Sequence, residues 1–169
     1  TALDDDAFLM FTSGTSGSPK GVVQGHDYLI GSLPGFQLYF QLLDPEAIDA
    51  QRIWTPAEWA WAGALLDVVY PTLLGGGTVV SRLRRSKFSP MAALEHVANR
   101  RITRAFLPPT ALQRIRNETS PETVDLGSLD VVLCGGESLS QPLQDWAETT
   151  LDIVVNEAYG QTEANSVLG

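Results

Sequence analysis

Phe11-Thr12-Ser13-Gly14-Thr15-Ser16-Gly17-Ser18-Pro19-Lys20-Gly21 has the composition of an anion cradle. Gly14 and Gly17 permit positive φ and let a ligand approach the main chain closely. Successive N–H groups in such a loop converge into a nest for negative charge. Thr12, Ser13, Thr15 and Ser16 add hydroxyl donors, and Lys20 adds a point charge suited to phosphate oxygens. That is chemistry for holding a polyphosphate. A flexible Ser/Gly linker shares the lack of bulk, but a linker has no need of one Pro-Lys between two apolar strands. The Walker A order is absent, because Pro19 precedes Lys20 and Gly21 follows it where Gly-Lys-Ser/Thr is required. Val22-Val23 continues as strand, so this loop is expected to join two strands and not to open a helix.

Three other segments carry possible chemistry. Gly135-Gly136-Glu137 follows an apolar strand, and open α/β sheets bind ligands at that edge. Two glycines let a flat ring lie on the backbone, although a plain strand-to-helix turn has the same composition. Asn156-Glu157-Ala158-Tyr159-Gly160-Gln161-Thr162-Glu163 follows the apolar Ile153-Val154-Val155. Its terminal carboxylate suits Mg²⁺, which takes one or two carboxylates plus substrate phosphates; taken alone, Glu163 equally fits a solvated surface. Trp54-Thr55-Pro56-Ala57-Glu58-Trp59-Ala60-Trp61 crowds three tryptophans together. They either wall a hydrocarbon tail or are packing residues. His26 lacks a nucleophile partner, His96 reads as a solvated helix residue, and Cys134 as a buried small hydrophobe.

These segments need a scaffold. Apolar runs at 7–11, 21–26, 52–55, 78–80, 103–107, 129–133 and 152–155 read as strands, the first as a buried one. Helical spacing opens at His26-Asp27, with Pro34 an irregularity inside it. A polar surface connection follows at 44–51, then an apolar helix over 59–74 ended by Gly75-Gly76-Gly77. Ser89-Pro90 opens another helix, Thr110 caps one after Pro108-Pro109, and Ser140 caps the last. Strands alternating with helices predict an α/β fold: a mainly parallel sheet flanked by helices on both faces, with the motifs converging on one edge.

The chain has 169 residues, 44% hydrophobic and 18% charged, with a net charge of −9. That balance argues against nucleic acid as partner but not against a nucleotide, since a local nest stays positive within an acidic protein. The single cysteine excludes an internal disulfide and fits a reducing compartment. The longest apolar stretch, 60–77, is broken by Asp67, Pro71 and three glycines and cannot span a membrane. The chain begins without Met and stops just after a motif, so the expectation is one α/β domain over 1–169, truncated from a longer protein.

The first stretch resembles the phosphate-loop signature of the adenylate-forming (AMP-binding) enzymes: acyl-CoA synthetases, luciferases and the adenylation domains of peptide synthetases. Their usual form is Thr-Ser-Gly-Thr-Thr-Gly-x-Pro-Lys-Gly; Ser16 stands where the second Thr of the pair is common. The other segments follow in family order, so the resemblance covers nearly the whole chain. It implies that Thr12, Ser13, Gly14, Thr15, Ser16, Gly17 and Lys20 hold ATP phosphates, and that Gly135, Gly136 and Glu137 pack on adenine and ribose. Ala158, Tyr159, Gly160 and Gln161 would lie near adenine, with the Thr162 hydroxyl on the α-phosphate and Glu163 on Mg²⁺. Lys20, Thr162 and Glu163 are then the catalytic set. Trp61 falls near the family's acyl pocket; Glu58 and Ala60 replace an Asp and a Gly there, which leaves the acyl-chain length open. The implied activity is ATP-dependent conversion of a carboxylate to an acyl-adenylate, then transfer to coenzyme A, in cytoplasmic fatty acid metabolism. An adenylation domain loading a carrier protein, or a nucleotide-binding homologue without ligase activity, are the alternatives. The family's ribose-binding aspartate, hinge and C-terminal lid domain have no counterpart in these residues, so the fragment alone is expected to be inactive.

Overall fold

The computed structural model describes residues 1–13, 17–82 and 87–169. Short apolar strands build a six-stranded sheet: β3 (Arg52–Trp54), β4 (Thr78–Val79), β5 (Arg104–Phe106), β6 (Val131–Gly135), β7 (Val154–Gln161) and β8 (Asn165–Leu168). Their order is β4-β3-β5-β6-β7-β8. Every neighbouring pair is parallel except β7 and β8, which form an antiparallel hairpin.

Side chains alternate across this sheet. Val132 and Cys134 join a cluster with α4 (Pro90–Arg100), α5 (Pro109–Glu118) and α6 (Gln141–Leu151), through Leu94, Leu112 and Ala147. Val131, Leu133, Ile53 and Phe106 point the other way, onto Phe36 of α1 (Asp27–Tyr39), Phe40 and Val68. Both faces are covered, which is why all five residues of β6 are buried and apolar or small. The expected fold class holds. Arg104 ties α1 to the sheet, donating from Nε to the Phe40 carbonyl at 3.0 Å and from Nη1 to the Asp130 carboxylate.

The helix ends follow local chemistry. Ser89 and Ser140 precede helices whose first residues accept Pro early, because the first N–H groups have no partner inside a helix. For α5 the N-cap is Pro108 and not Thr110: Pro109 takes the first helical position and Leu112 N–H reaches the Pro108 carbonyl at 3.2 Å. The run 59–74 is helical only from Ala62, as α2 (Ala62–Ala64), a π-turn (Leu65–Val69) and α3 (Tyr70–Leu74). It closes with Gly77 N–H on the Thr72 carbonyl and Gly76 N–H on the Leu73 carbonyl, Gly76 standing at φ 81°.

Four further expectations are corrected. The stretch 7–11 lies in β1 (Asp6–Thr12), which pairs antiparallel with β2 (Lys20–Gly25), Thr12 opposite Lys20. The loop therefore does join two strands, but the ribbon is covered on one side only. Phe8 packs on Tyr70 with ring centroids 5.3 Å apart, while Leu9 and Phe11 are 60% and 70% exposed. The polar connection 44–51 holds a 3₁₀ turn, Pro45–Ile48, whose Ile48 is buried. The last strand is not 152–155: Asp152 at φ 54° ends α6, and β7 runs on through Gln161. His96 is half-buried against Trp54, and its Nε2 is buried without a hydrogen-bond partner among the described residues. Cys134 is fully buried as expected, its thiol pushed up to about 12 by burial and then by Glu157. Among the described residues, no helix is long and apolar enough to cross a membrane.

Phe40 is fully buried and its ring meets that of Phe36 at 5.1 Å. Phe40→Ala leaves a cavity between α1 and the sheet and is expected to cost about 3–5 kcal/mol in urea unfolding. A loss no larger than that of an exposed substitution would show that α1 does not hold the sheet.

Candidate functional site

The carboxyl ends of β5, β6 and β7 open on a cleft of about 210 Å³, lined by Gly135, Gly136, Gly160, Thr162, Trp61 and Asp67 among others. Gly135 ends β6 and pairs with Ala158. A Cβ on Gly135 would stand 3.0 Å from the Ala158 carbonyl, and Gly136 is at φ 84°. The flat ring against Gly136 is the indole of Trp61: a Cβ there would meet its six-membered ring at 3.0 Å. That indole also stacks on Phe106 with centroids 5.4 Å apart and lies against Gly63.

The second half of β7 carries the Tyr159 segment into a tight hairpin with β8, closed by Ala164 N–H on the Gln161 carbonyl. Gln24 of β2 donates from Nε2 to the Thr162 carbonyl at 2.7 Å. This bond ties the hydroxyl- and glycine-rich hairpin to the Thr162 turn across 138 residues of sequence. The contact with the third segment comes from Gln24, near the end of β2 remote from Lys20, a residue that belongs to neither motif.

Individual placements differ. Thr12 and Lys20 stand opposite each other at the loop's base, with Ser13, Gly17 and Lys20 exposed and Gly17 at φ 105°. Gly14, Thr15 and Ser16 lie outside the described residues. Gly135, Gly136, Ala158, Gly160, Gln161, Thr162 and Trp61 line the cleft; Glu137 and Tyr159 do not. Tyr159 is exposed, and its hydroxyl accepts from Gln161 Nε2 at 2.8 Å. Glu163 is exposed in the turn and lines an adjoining cavity of about 410 Å³.

That second cavity shares Tyr28, Asp67 and Ser166 with the cleft, and adds Asp27 and Asn165. Asp67 lies within the π-turn. Pro71 has no N–H to give the Asp67 carbonyl, and the chain inserts a residue ahead of it, with Tyr70 N–H bonding the Leu65 carbonyl. Such π-turns recur at functional sites. Burial pushes the Asp67 carboxyl from 3.8 up to about 7, and no side-chain hydrogen bond within the described residues offsets it. The phenols of Tyr28 and Tyr39 are raised too, by burial first and by Asp67 second. Sequence reading gave Gln24 and Asp67 no part in the site, although Asp67 is the one charged residue in 60–77.

The donor set sorts by chemistry. Gly135, Gly136 and Gly160 line the cleft with little but backbone, and Thr162, which carries a hydroxyl donor, lines it beside them. Among the described residues no group of three or more His, Cys, Asp or Glu could hold a metal. Glu163 alone, facing solvent, fits Mg²⁺ that keeps waters and shares phosphate oxygens, and not a protein-only cage.

The profile of the family described as AMP-binding enzyme matches residues 1–168. Feruloyl-CoA synthase of an Amycolatopsis species is 36% identical over 96% of this chain and 31% of its own length. Gramicidin S synthase 2 of Brevibacillus brevis is 30% identical over 97% of this chain and 4% of its own. The crystal structure of Brucella canis acyl-CoA synthetase superposes with a TM-score of 0.81 at 27% identity, over 99% of this chain and 29% of that one. The chain spans about a third of the length of the feruloyl-CoA synthases it matches.

The raised Asp67 carboxyl has a pH consequence. The folded state binds its proton more tightly than the unfolded chain, so this group's contribution is full below pH 3.8 and declines as pH rises toward 7. Asp67→Asn is expected to flatten that decline, measured as urea midpoints from pH 4 to 8. Parallel midpoint curves for the two proteins would show that the carboxyl is solvated.

Proposed function

This chain belongs to the AMP-binding enzyme family, and on that premise we propose that it is the nucleotide-binding part of an AMP-forming acid–thiol ligase. The protein that contains it would join a carboxylate to ATP, release pyrophosphate, and pass the acyl group to coenzyme A. The observation that carries this reading is the Gln24–Thr162 bond, which holds the hairpin bearing Lys20 against the turn bearing Thr162 and Glu163, beside the cleft of Gly135 and Gly136. The names of two matched proteins, feruloyl-CoA synthase and acyl-CoA synthetase, favour coenzyme A as acceptor. Residues 1–169 act as one α/β unit, with a lid domain and the remaining ribose contacts supplied by the rest of the protein.

The roles follow from chemistry. The loop's N–H groups, the hydroxyls of Thr12, Ser13, Thr15 and Ser16, and Lys20 hold the β- and γ-phosphate oxygens. Thr162 donates its hydroxyl proton as a hydrogen bond to the α-phosphate, and Glu163 holds Mg²⁺, which supplies charge neutralisation there. Gly135, Gly136, Glu137, Ala158, Tyr159, Gly160 and Gln161 receive adenine and ribose. Trp61 borders the acyl group. A carboxylate oxygen attacks the α-phosphorus, the bond to the bridging oxygen breaks, and pyrophosphate leaves. A thiol sulfur then attacks the acyl carbon and AMP leaves. The protein's part in the first step is positioning and electrostatic stabilisation.

Pyrophosphate release by the full-length protein across a carboxylate panel tests the reading; none with any acid would remove it. Lys20→Ala is expected to lower kcat/KM for ATP by the roughly 1.5–3 kcal/mol of one charge-assisted contact, with an unchanged melting temperature, since Lys20 is exposed. An unchanged rate would take Lys20 off the phosphates. Glu163→Gln keeps the side chain's shape and removes the charge a hard cation prefers. The Mg²⁺ concentration for half-maximal pyrophosphate release is expected to rise, with partial recovery at high Mg²⁺; superimposable titrations would dismiss the metal role.

A further inference from the structure

We infer that Asp67 selects carboxylate substrates that carry a hydrogen-bond donor, hydroxyl or ammonium, at the end remote from the reacting carboxyl. This rests on the reading above, in which the acyl group lies beside Trp61. Past Trp61 the cleft is walled by Ala62, Phe106 and Leu133, all buried and apolar. Asp67 breaks that wall. It lies five positions after Ala62, where the helical run begins, roughly 7.5 Å of axial rise, and lines both the cleft and the larger cavity. A tail that follows the apolar wall ends at this carboxyl.

The surroundings define what the tail must offer. Asp27 lines the larger cavity with Asp67, and among the described residues no Lys, Arg or His lines either space. The local field therefore favours a cation or a polarised O–H and repels a second carboxylate. Asn165, in the same wall, holds a buried side-chain oxygen without a hydrogen-bond partner among the described residues. Tyr28 and Tyr39 border the cavity too, and their raised phenols stay protonated. A half-buried carboxylate beside an apolar wall loses solvation that an incoming donor restores. None among the described residues bonds Asp67. An incoming donor would satisfy it, and a methyl end would leave it stranded.

The test uses the full-length protein and matched straight-chain and phenyl acids of graded length, each ending in methyl, hydroxyl or ammonium. Pyrophosphate release is measured with ATP, and binding of each acid by calorimetry without nucleotide. Wild type is expected to prefer a donor-ended acid over its methyl analogue by roughly tenfold to a hundredfold in kcat/KM, the worth of one hydrogen bond to a charged group. Asp67→Leu is expected to reverse that preference. Asp67→Asn, close to isosteric, is expected to keep the hydroxyl preference and lose the ammonium one; it carries the test if Asp67→Leu does not fold. Pyrophosphate release with the same acid preferences in wild type and variants would overturn this inference and leave the ligase reading standing. Asp67-dependent binding without any pyrophosphate release would do the opposite, and neither binding nor release would overturn both.

Discussion

The register of β6 against β7 is the constraint on which the site depends. Five parallel pairs run from Val131 opposite Val154 to Gly135 opposite Ala158. Both strands are sided: Val132 and Val155 face the cluster of α4, α5 and α6, while Leu133 and Ala158 face α1. A slip of one residue would turn each set to the wrong face. Burial on both faces therefore locks the register, and the register delivers Gly135 and Gly160 to the same cleft.

The hairpin of β1 and β2 depends on that frame without being part of the sheet. A two-stranded ribbon is marginal by itself, and here Phe8 rests on Tyr70 while Gln24 is bonded to the Thr162 carbonyl. With Asp27 N–H of α1 on the Leu3 carbonyl at the ribbon's base, these contacts help set where the ribbon stands relative to the sheet edge. The outer face with Leu9, Phe11 and Val23 contributes nothing to this placement.

Around Asp67 several local rules are broken together. A π-turn interrupts the helix, Pro71 follows within a turn, burial pushes a half-buried carboxyl up, and Asn165 sits at φ 59° with a buried oxygen that has no partner among the described residues. Asp67 and Asn165 line the same cavity. Such departures gather where a fold is shaped for something other than its own packing.

What the residues determined by themselves is the alternation of elements and the chemistry of the loop. Strands such as Val131–Gly135 are uninterrupted apolar runs because both faces are covered, so their class is written in composition. Gly75-Gly76-Gly77 marks a helix end because the chain must take positive φ there, and Val22-Val23 marks a hairpin because nothing nearby caps a helix. The extent of β7 was not legible: Asn156 to Gln161 is polar and half-covered, which reads like a loop until β6 and β8 supply its hydrogen bonds. Nor was the exposure of Leu9 and Phe11, since hydropathy does not say which face has a neighbour. Gln24 and Asp67 became part of the site only through tertiary contact. Gln24 finds its acceptor 138 residues away, and Asp67 lies in a π-turn that lines the cleft. Sequence carries local propensity and burial pattern; which distant groups meet is decided by how the covered faces pack.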